Sequence, residues 1–127
     1  MTIILDEIII TPLLKATSSL HKVLKKEKDE YIRDAAIQRF EYTFELSWKT
    51  MKRILKYKGY DVGGSKDVFR LSAKEGLIGD PIKWFGFLEM RNETVHSYDE
   101  AEAEKIYKKI PDFIAELDKF IDTIRVL

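Results

Sequence analysis

Arg91, Asn92, His96 and Tyr98 lie close together in the segment Arg91-Asn92-Glu93-Thr94-Val95-His96-Ser97-Tyr98-Asp99. Arginine is a permanent cation that grips a phosphate through two parallel hydrogen bonds. Histidine takes and returns a proton near neutral pH. The combination points to chemistry on a phosphodiester. No other stretch of the chain holds so specific a set of groups.

These residues need an element to carry them. Asp80-Pro81 reads as a helix start, with Asp80 as N-cap and Pro81 at the first helical position. At about 100° per residue, Trp84, Leu88, Arg91 and Val95 then form one narrow stripe. Arg91 therefore lies in line with apolar residues, where a charge is rarely left without a partner. Two bland roles stand beside phosphate binding: an arginine snorkelling to water, or one paired with a carboxylate. His96 lies about 140° around the helix from Arg91, so one helix presents the two poorly to a small ligand. Asn92 and His96, at i and i+4, share a face. Two copies of the helix meeting across a twofold axis bring two arginines and two histidines to one cleft. The spacing thus favours a homodimeric site.

The remaining elements read as helices. Thr11-Pro12 opens a first amphipathic helix from Leu13 to about Lys28. A second runs from about Tyr31 to Lys58, with Ile37, Phe40, Phe44, Trp48, Met51 and Leu55 as its core seam. Within it, Glu45 and Lys49 form an i,i+4 pair. Gly59 ends this helix, and Ser65 caps a short third one from Lys66 to Glu75. The helix bearing Arg91 ends near Ser97-Tyr98, because Asp99 and Glu102 form a capping box for a last helix. Pro111 kinks or restarts that helix, whose apolar face is Ile110, Phe113, Ile114, Leu117, Phe120, Ile121 and Ile124. No strand is clearly signalled. The expected fold is all-α, an up-and-down antiparallel bundle of four to five helices. The apolar run in residues 1–10 is read as an arm packed on a neighbouring element or chain, with helix against strand left open.

Composition narrows the function classes. With 127 residues the chain is expected to form one domain, 1–127, with a real core. There is no cysteine, hence no disulfide framework and no thiolate metal site. His21 and His96 are the only histidines, so a histidine-rich zinc site within one chain is not expected. No metal and no cofactor is expected. Gly63-Gly64-Ser65-Lys66 lacks the spacing of a Walker loop and follows no strand, which excludes that reading. The N-terminal apolar run is too short to span a bilayer, and a cytoplasmic location is expected. The formal net charge is zero, so the molecule as a whole does not attract nucleic acid. A local basic run, Lys49, Lys52, Arg53, Lys56 and Lys58, is either the solvated face of a helix or an RNA-contacting surface.

Three blocks in order carry a resemblance. They are Arg91-x4-His96-x-Tyr98, the stretch from Ile37 to Lys49 (Gln-x-Phe-Glu-x-x-Phe-Glu-x-x-Trp-Lys from Gln38), and Phe69-Arg70 through Gly76-Leu77-Ile78. The chain resembles HEPN-domain proteins of the HepT type, also called nucleotidyltransferase substrate-binding proteins, over roughly residues 30–110. The resemblance implies a helical bundle and RNA as substrate. It also implies a cognate minimal nucleotidyltransferase as partner and antitoxin. Arg91, His96 and Asn92 are then the catalytic residues of a metal-independent ribonuclease toxin. His96 acts as general base or acid, Arg91 binds the phosphate, and Asn92 orients His96 or donates to the phosphate. Tyr98 takes the position of the tyrosine to which that partner transfers AMP, which silences the toxin. Its plain alternative is an aromatic stacked over a helix junction. A second function class stays open: a non-catalytic subunit presenting a nucleotide or small molecule to the nucleotidyltransferase. A third is a purely structural helical dimer.

Overall fold

The computed structural model describes residues 1–127. Five α-helices follow a small hairpin: α1 (Thr11–Leu24), α2 (Glu30–Tyr57), α3 (Ser65–Lys74), α4 (Pro81–Glu93) and α5 (Glu100–Ile124). Short connections fold them back on one another as an antiparallel bundle. The long α2 packs against α1, α3, α4 and α5. The all-α expectation therefore holds.

Helix boundaries have local causes. The Asp29 carboxylate accepts the Ile32 N–H at 2.7 Å and caps α2. Gly59 (φ 96°) follows the end of α2, and Gly76 (φ 76°) follows α3. Their left-handed backbone lets the Tyr60 N–H reach back to the Leu55 carbonyl (3.0 Å) and the Leu77 N–H to the Ser72 carbonyl (2.9 Å). Ser65 does not cap α3. The N-cap is Gly64, with no side-chain bond, and Ser65 is already the first helical residue. Nor does Pro111 break α5, which runs unbroken through it. Pro111 lies on the exposed side, where the carbonyl it leaves unpaired can bond to water.

The N-terminal run, left open between helix and strand by its residues, forms two short strands. Here β1 (Ile3–Ile4) pairs antiparallel with β2 (Ile8–Ile9), Ile3 opposite Ile9 and Ile4 opposite Ile8. The turn places Leu5 (φ 51°) and Asp6 (φ 64°) in the left-handed region. That is the mirror-image turn that matches hairpin twist. Ile4, Ile8 and Ile10 are buried against the bundle, while Ile3 and Ile9 face out. The arm thus packs on its own chain.

Aromatic rings hold the centre. Trp84 of α4 is fully buried among Phe44 of α2, Phe69 of α3, and Phe113 and Phe120 of α5, with ring centroids 5.8–6.4 Å apart. Two of these pairs, with Phe113 and Phe120, meet edge to face, as does Trp84 with Phe87, which suits the ring quadrupoles. This cluster fixes α4, and with it the start of the segment carrying Arg91 and His96. The stripe expected on α4 is rotated. Its buried residues are Trp84, Phe87 and Met90, continued by Thr94, whereas Leu88 and Arg91 are half-buried and Val95 is 65% exposed.

A polar network fixes the other end of that segment. The Arg33 side chain of α2 is only 6% exposed and donates to Glu100 and Glu104, one turn apart on α5, and to Asp34. Lys28 also donates to Glu104. These bonds, that to Glu100 first, hold the Arg33 guanidinium well above its ordinary value. The bond from Lys28 holds the Glu104 carboxyl below the usual carboxylate range against desolvation, and the bond from Arg33 adds to it.

Candidate functional site

The Arg91–Asp99 segment is half helix and half strap. Asp80 accepts the Ile82 N–H at 2.9 Å and starts α4 as expected. The helix closes at Glu93, where the buried Thr94 hydroxyl donates to the Arg91 carbonyl at 2.7 Å. A 3-10 turn, Thr94–His96, follows. The Ser97 N–H then bonds to the Thr94 carbonyl (3.1 Å) and the Asp99 N–H to the His96 carbonyl (3.0 Å). The Asp99 carboxylate accepts the N–H groups of Ala101 (2.9 Å) and Glu102 (3.2 Å), opening α5. Only half of the expected capping box forms. Glu102 turns to Lys105 instead, because the Asp99 N–H is already taken by His96.

His96 and Tyr98 are brought together. Both are exposed, Tyr98 at 87%, and their rings meet edge-on with centroids 6.5 Å apart. Tyr98 is therefore not stacked over the helix junction. Asn92 is exposed on the outer side of α4.

Arg91 goes elsewhere. Its Nε lies 3.4 Å from Glu45 Oε1 of α2, and both side chains are about one-third exposed. The Nε is nevertheless buried and makes no hydrogen bond, since the geometry to Glu45 is poor. A buried donor left unbonded costs about 1–3 kcal/mol, so Arg91 has hydrogen-bonding capacity to spare. Its side chain lines a groove of about 480 Å³ with Gln38, Glu41, Tyr42, Glu45 and Leu46. The expected Glu45–Lys49 pair does not form. Glu45 accepts from Trp48 Nε1 (3.2 Å) and faces Arg91.

Arg91 faces Glu45 of α2, whereas His96 meets Tyr98 on the strap. A 3-10 turn advances each residue by about 120° rather than 100°, so it widens the angle already expected between them. Glu45, Gln38 and Tyr42 were missed as neighbours of Arg91. Their signal was present, because they recur at i, i+4 and i+7 on one face of α2. No group of three or more His, Asp or Glu side chains is placed to hold a metal ion. No helix is long and apolar enough to cross a membrane.

Residues 9–126 match the family model described as nucleotidyltransferase substrate binding protein like. The chain belongs to this family. Among its relatives is a Haemophilus influenzae protein named probable ribonuclease HepT, 42% identical over a 95-residue alignment that covers 71% of this chain. The chain spans 65% of that relative's length. A solved H. influenzae structure, described as revealing the fold of a substrate binding domain of a nucleotidyltransferase, superposes with a TM-score of 0.86. It is 32% identical, and the match covers 92% of this chain and 99% of that one. A Thermus thermophilus protein of known crystal structure superposes with a TM-score of 0.83 at 34% identity, over 89% and 98% of the two chains. These family members share the helical bundle, and the resemblance to the HepT type is borne out.

Proposed function

We propose that the chain is the toxin component of a nucleotidyltransferase–HEPN pair, a metal-independent ribonuclease silenced by AMP transfer to Tyr98. The observation that carries this reading is the exposed His96–Tyr98 pair on a strap between two helices, where the Ser97 and Asp99 N–H groups bond back to the Thr94 and His96 carbonyls. The 42% identical relative named probable ribonuclease HepT supports it.

In this reading the chain works as one HEPN-like domain over residues 1–127. His96 takes the proton from a ribose 2′-hydroxyl, whose oxygen attacks the adjacent phosphorus. The 5′-oxygen leaves with a proton from the second histidine, and a cyclic phosphate remains. Such proton transfer contributes about 10²–10⁴-fold. Arg91 neutralises charge growing on the phosphate oxygens. Asn92, exposed in the last turn of α4, orients His96 or donates to the phosphate. Because Arg91 faces Glu45 while His96 meets Tyr98 on the strap, the working site is formed by two chains. The protein is therefore expected to be a dimer, with scattering mass twice the chain's 14.9 kDa. A monomer at working concentration would overturn the shared cleft. The direct test of function is to express the chain alone and with a cognate minimal nucleotidyltransferase. RNA breakdown and growth arrest are expected only without the partner, and intact RNA in both cases would sink the toxin reading.

A second reading has one specific support, the structural relative described as a nucleotidyltransferase substrate binding domain. Here the chain is non-catalytic, and Arg91 and His96 hold the phosphate of a nucleotide presented to the partner.

A further inference from the structure

The outer face of α2 carries an unbalanced row of cations. Lys49, Arg53 and Lys56 recur at i, i+4 and i+7, all exposed and none ion-paired. The other two cations of this run are engaged: Lys52 donates to the Gly63 carbonyl and Lys58 pairs with Glu75. Some surface cations elsewhere are matched on their own helix, as in Asp67–Arg70, Glu102–Lys105 and Glu116–Lys119, while Lys22, Lys25 and Lys26 at the end of α1 are unpaired but have no aromatic groove beside them. Like charges at i,i+4, here Lys49 and Arg53, destabilise a helix. The helix dipole favours cations in the last turn, which accounts for Lys56 but not for Lys49, two turns earlier. The repulsion is relieved when an anion binds.

The place of the row is informative. Lys49 lies one turn beyond Glu45, the carboxylate facing Arg91, about 6 Å along the helix axis. Arg53 and Lys56 then enter a groove of about 690 Å³ between α2 and the hairpin, shared with Tyr57, Ile8, Ile9 and Glu7. Tyr57 is 48% exposed there, and Tyr42 is exposed in the groove beside Arg91. A row of cations flanked by exposed aromatic rings is what a single strand needs: cations for the backbone and rings on which bases stack. Glu7, on the hairpin rim, repels phosphates and keeps the backbone on the α2 side.

We propose that Lys49, Arg53, Lys56 and Tyr57 form a track that binds single-stranded RNA and leads it to Arg91; this rests on RNA being the substrate. The track reads no base edges, so it sets affinity and direction of the strand rather than sequence.

The test uses the full chain and a labelled single-stranded RNA of about twelve nucleotides, within the length such surfaces cover, 2′-O-methylated so that it survives. Binding is followed by fluorescence anisotropy across a salt series. The Lys49→Gln/Arg53→Gln/Lys56→Gln protein should bind about 10–100-fold more weakly, and its salt slope should fall by about 2, at about 0.7 per phosphate on a single strand. Tyr57→Ala should weaken binding with the slope unchanged. A variant of equal charge at the far end of α1, Lys22→Gln/Lys25→Gln/Lys26→Gln, should bind as the wild type does. Equal binding by the two triple variants, or an unchanged slope, overturns the track. If the wild type still cleaves unmodified RNA in that case, the nuclease reading stands alone. A wild type that neither binds nor cleaves RNA overturns both.

Discussion

A His96→Ala protein is expected to keep its fold and to cleave RNA about 10²–10⁴-fold more slowly than the wild type. The side chain is exposed and leaves no cavity, so circular dichroism and melting should be unchanged. Arg91→Ala should lose about 10²–10³-fold, the usual effect of removing one electrostatic stabiliser of a transition state. Its ion pair with Glu45 is about one-third exposed, and such pairs contribute about 0–1 kcal/mol. Glu45 also keeps its bond from Trp48. A folded His96→Ala protein that cleaves at the wild-type rate points to the non-catalytic subunit instead. An Arg91→Ala protein that fails to fold identifies Arg91 as a structural residue.

Incubation with a cognate nucleotidyltransferase, ATP and Mg²⁺ should add AMP to Tyr98. The phenol oxygen attacks the α-phosphorus of ATP and pyrophosphate leaves. At 87% exposure the acceptor needs no opening of the fold to be reached. The adduct places a phosphate beside the His96 ring, where it blocks access and repels the RNA backbone. Tyr98→Phe removes only the acceptor oxygen. It should remain a nuclease while escaping its partner, so co-expression no longer protects cells. Intact-mass spectrometry reads the outcome. AMP persisting on the Tyr98→Phe protein, or absent from the wild type with an active partner, refutes the assignment.

Helix positions were legible at three marked ends, but not at α3, where Gly64 rather than Ser65 is the cap, nor at the end of α4, which closes at Glu93 rather than near Ser97-Tyr98. Asp80, Asp99 and Gly59 each do what their types suggest. The seam of α2 was legible from its period, although Trp48 is only half-buried because its indole turns to Glu45. The hairpin was not legible, because its turn sets Leu5 and Asp6 at positive φ without the usual Asn-Gly signal. Nor was the inward face of α4. Trp84, Phe85, Phe87 and Leu88 surround the helix with apolar groups, so periodicity offers two stripes. Packing against Phe113 and Phe120 selects the one through Phe87 and Met90. At the site, the angle expected between Arg91 and His96 followed from spacing alone. The Arg91–Glu45 contact did not, because a tertiary partner displaced the local Lys49.

The strap from Thr94 to Asp99 is tied at one end by a buried threonine and at the other by the Asp99 cap. The first turn of α5 is in turn held to Arg33. The backbone under His96 and Tyr98 therefore has little freedom left to lose when a nucleotide arrives. Only side-chain torsions remain to be ordered, at about 0.5–1.5 kcal/mol per immobilised side chain. In the proposed reading, recognition at this point then costs the ordering of the His96 and Tyr98 rings, while the chain beneath them stays still.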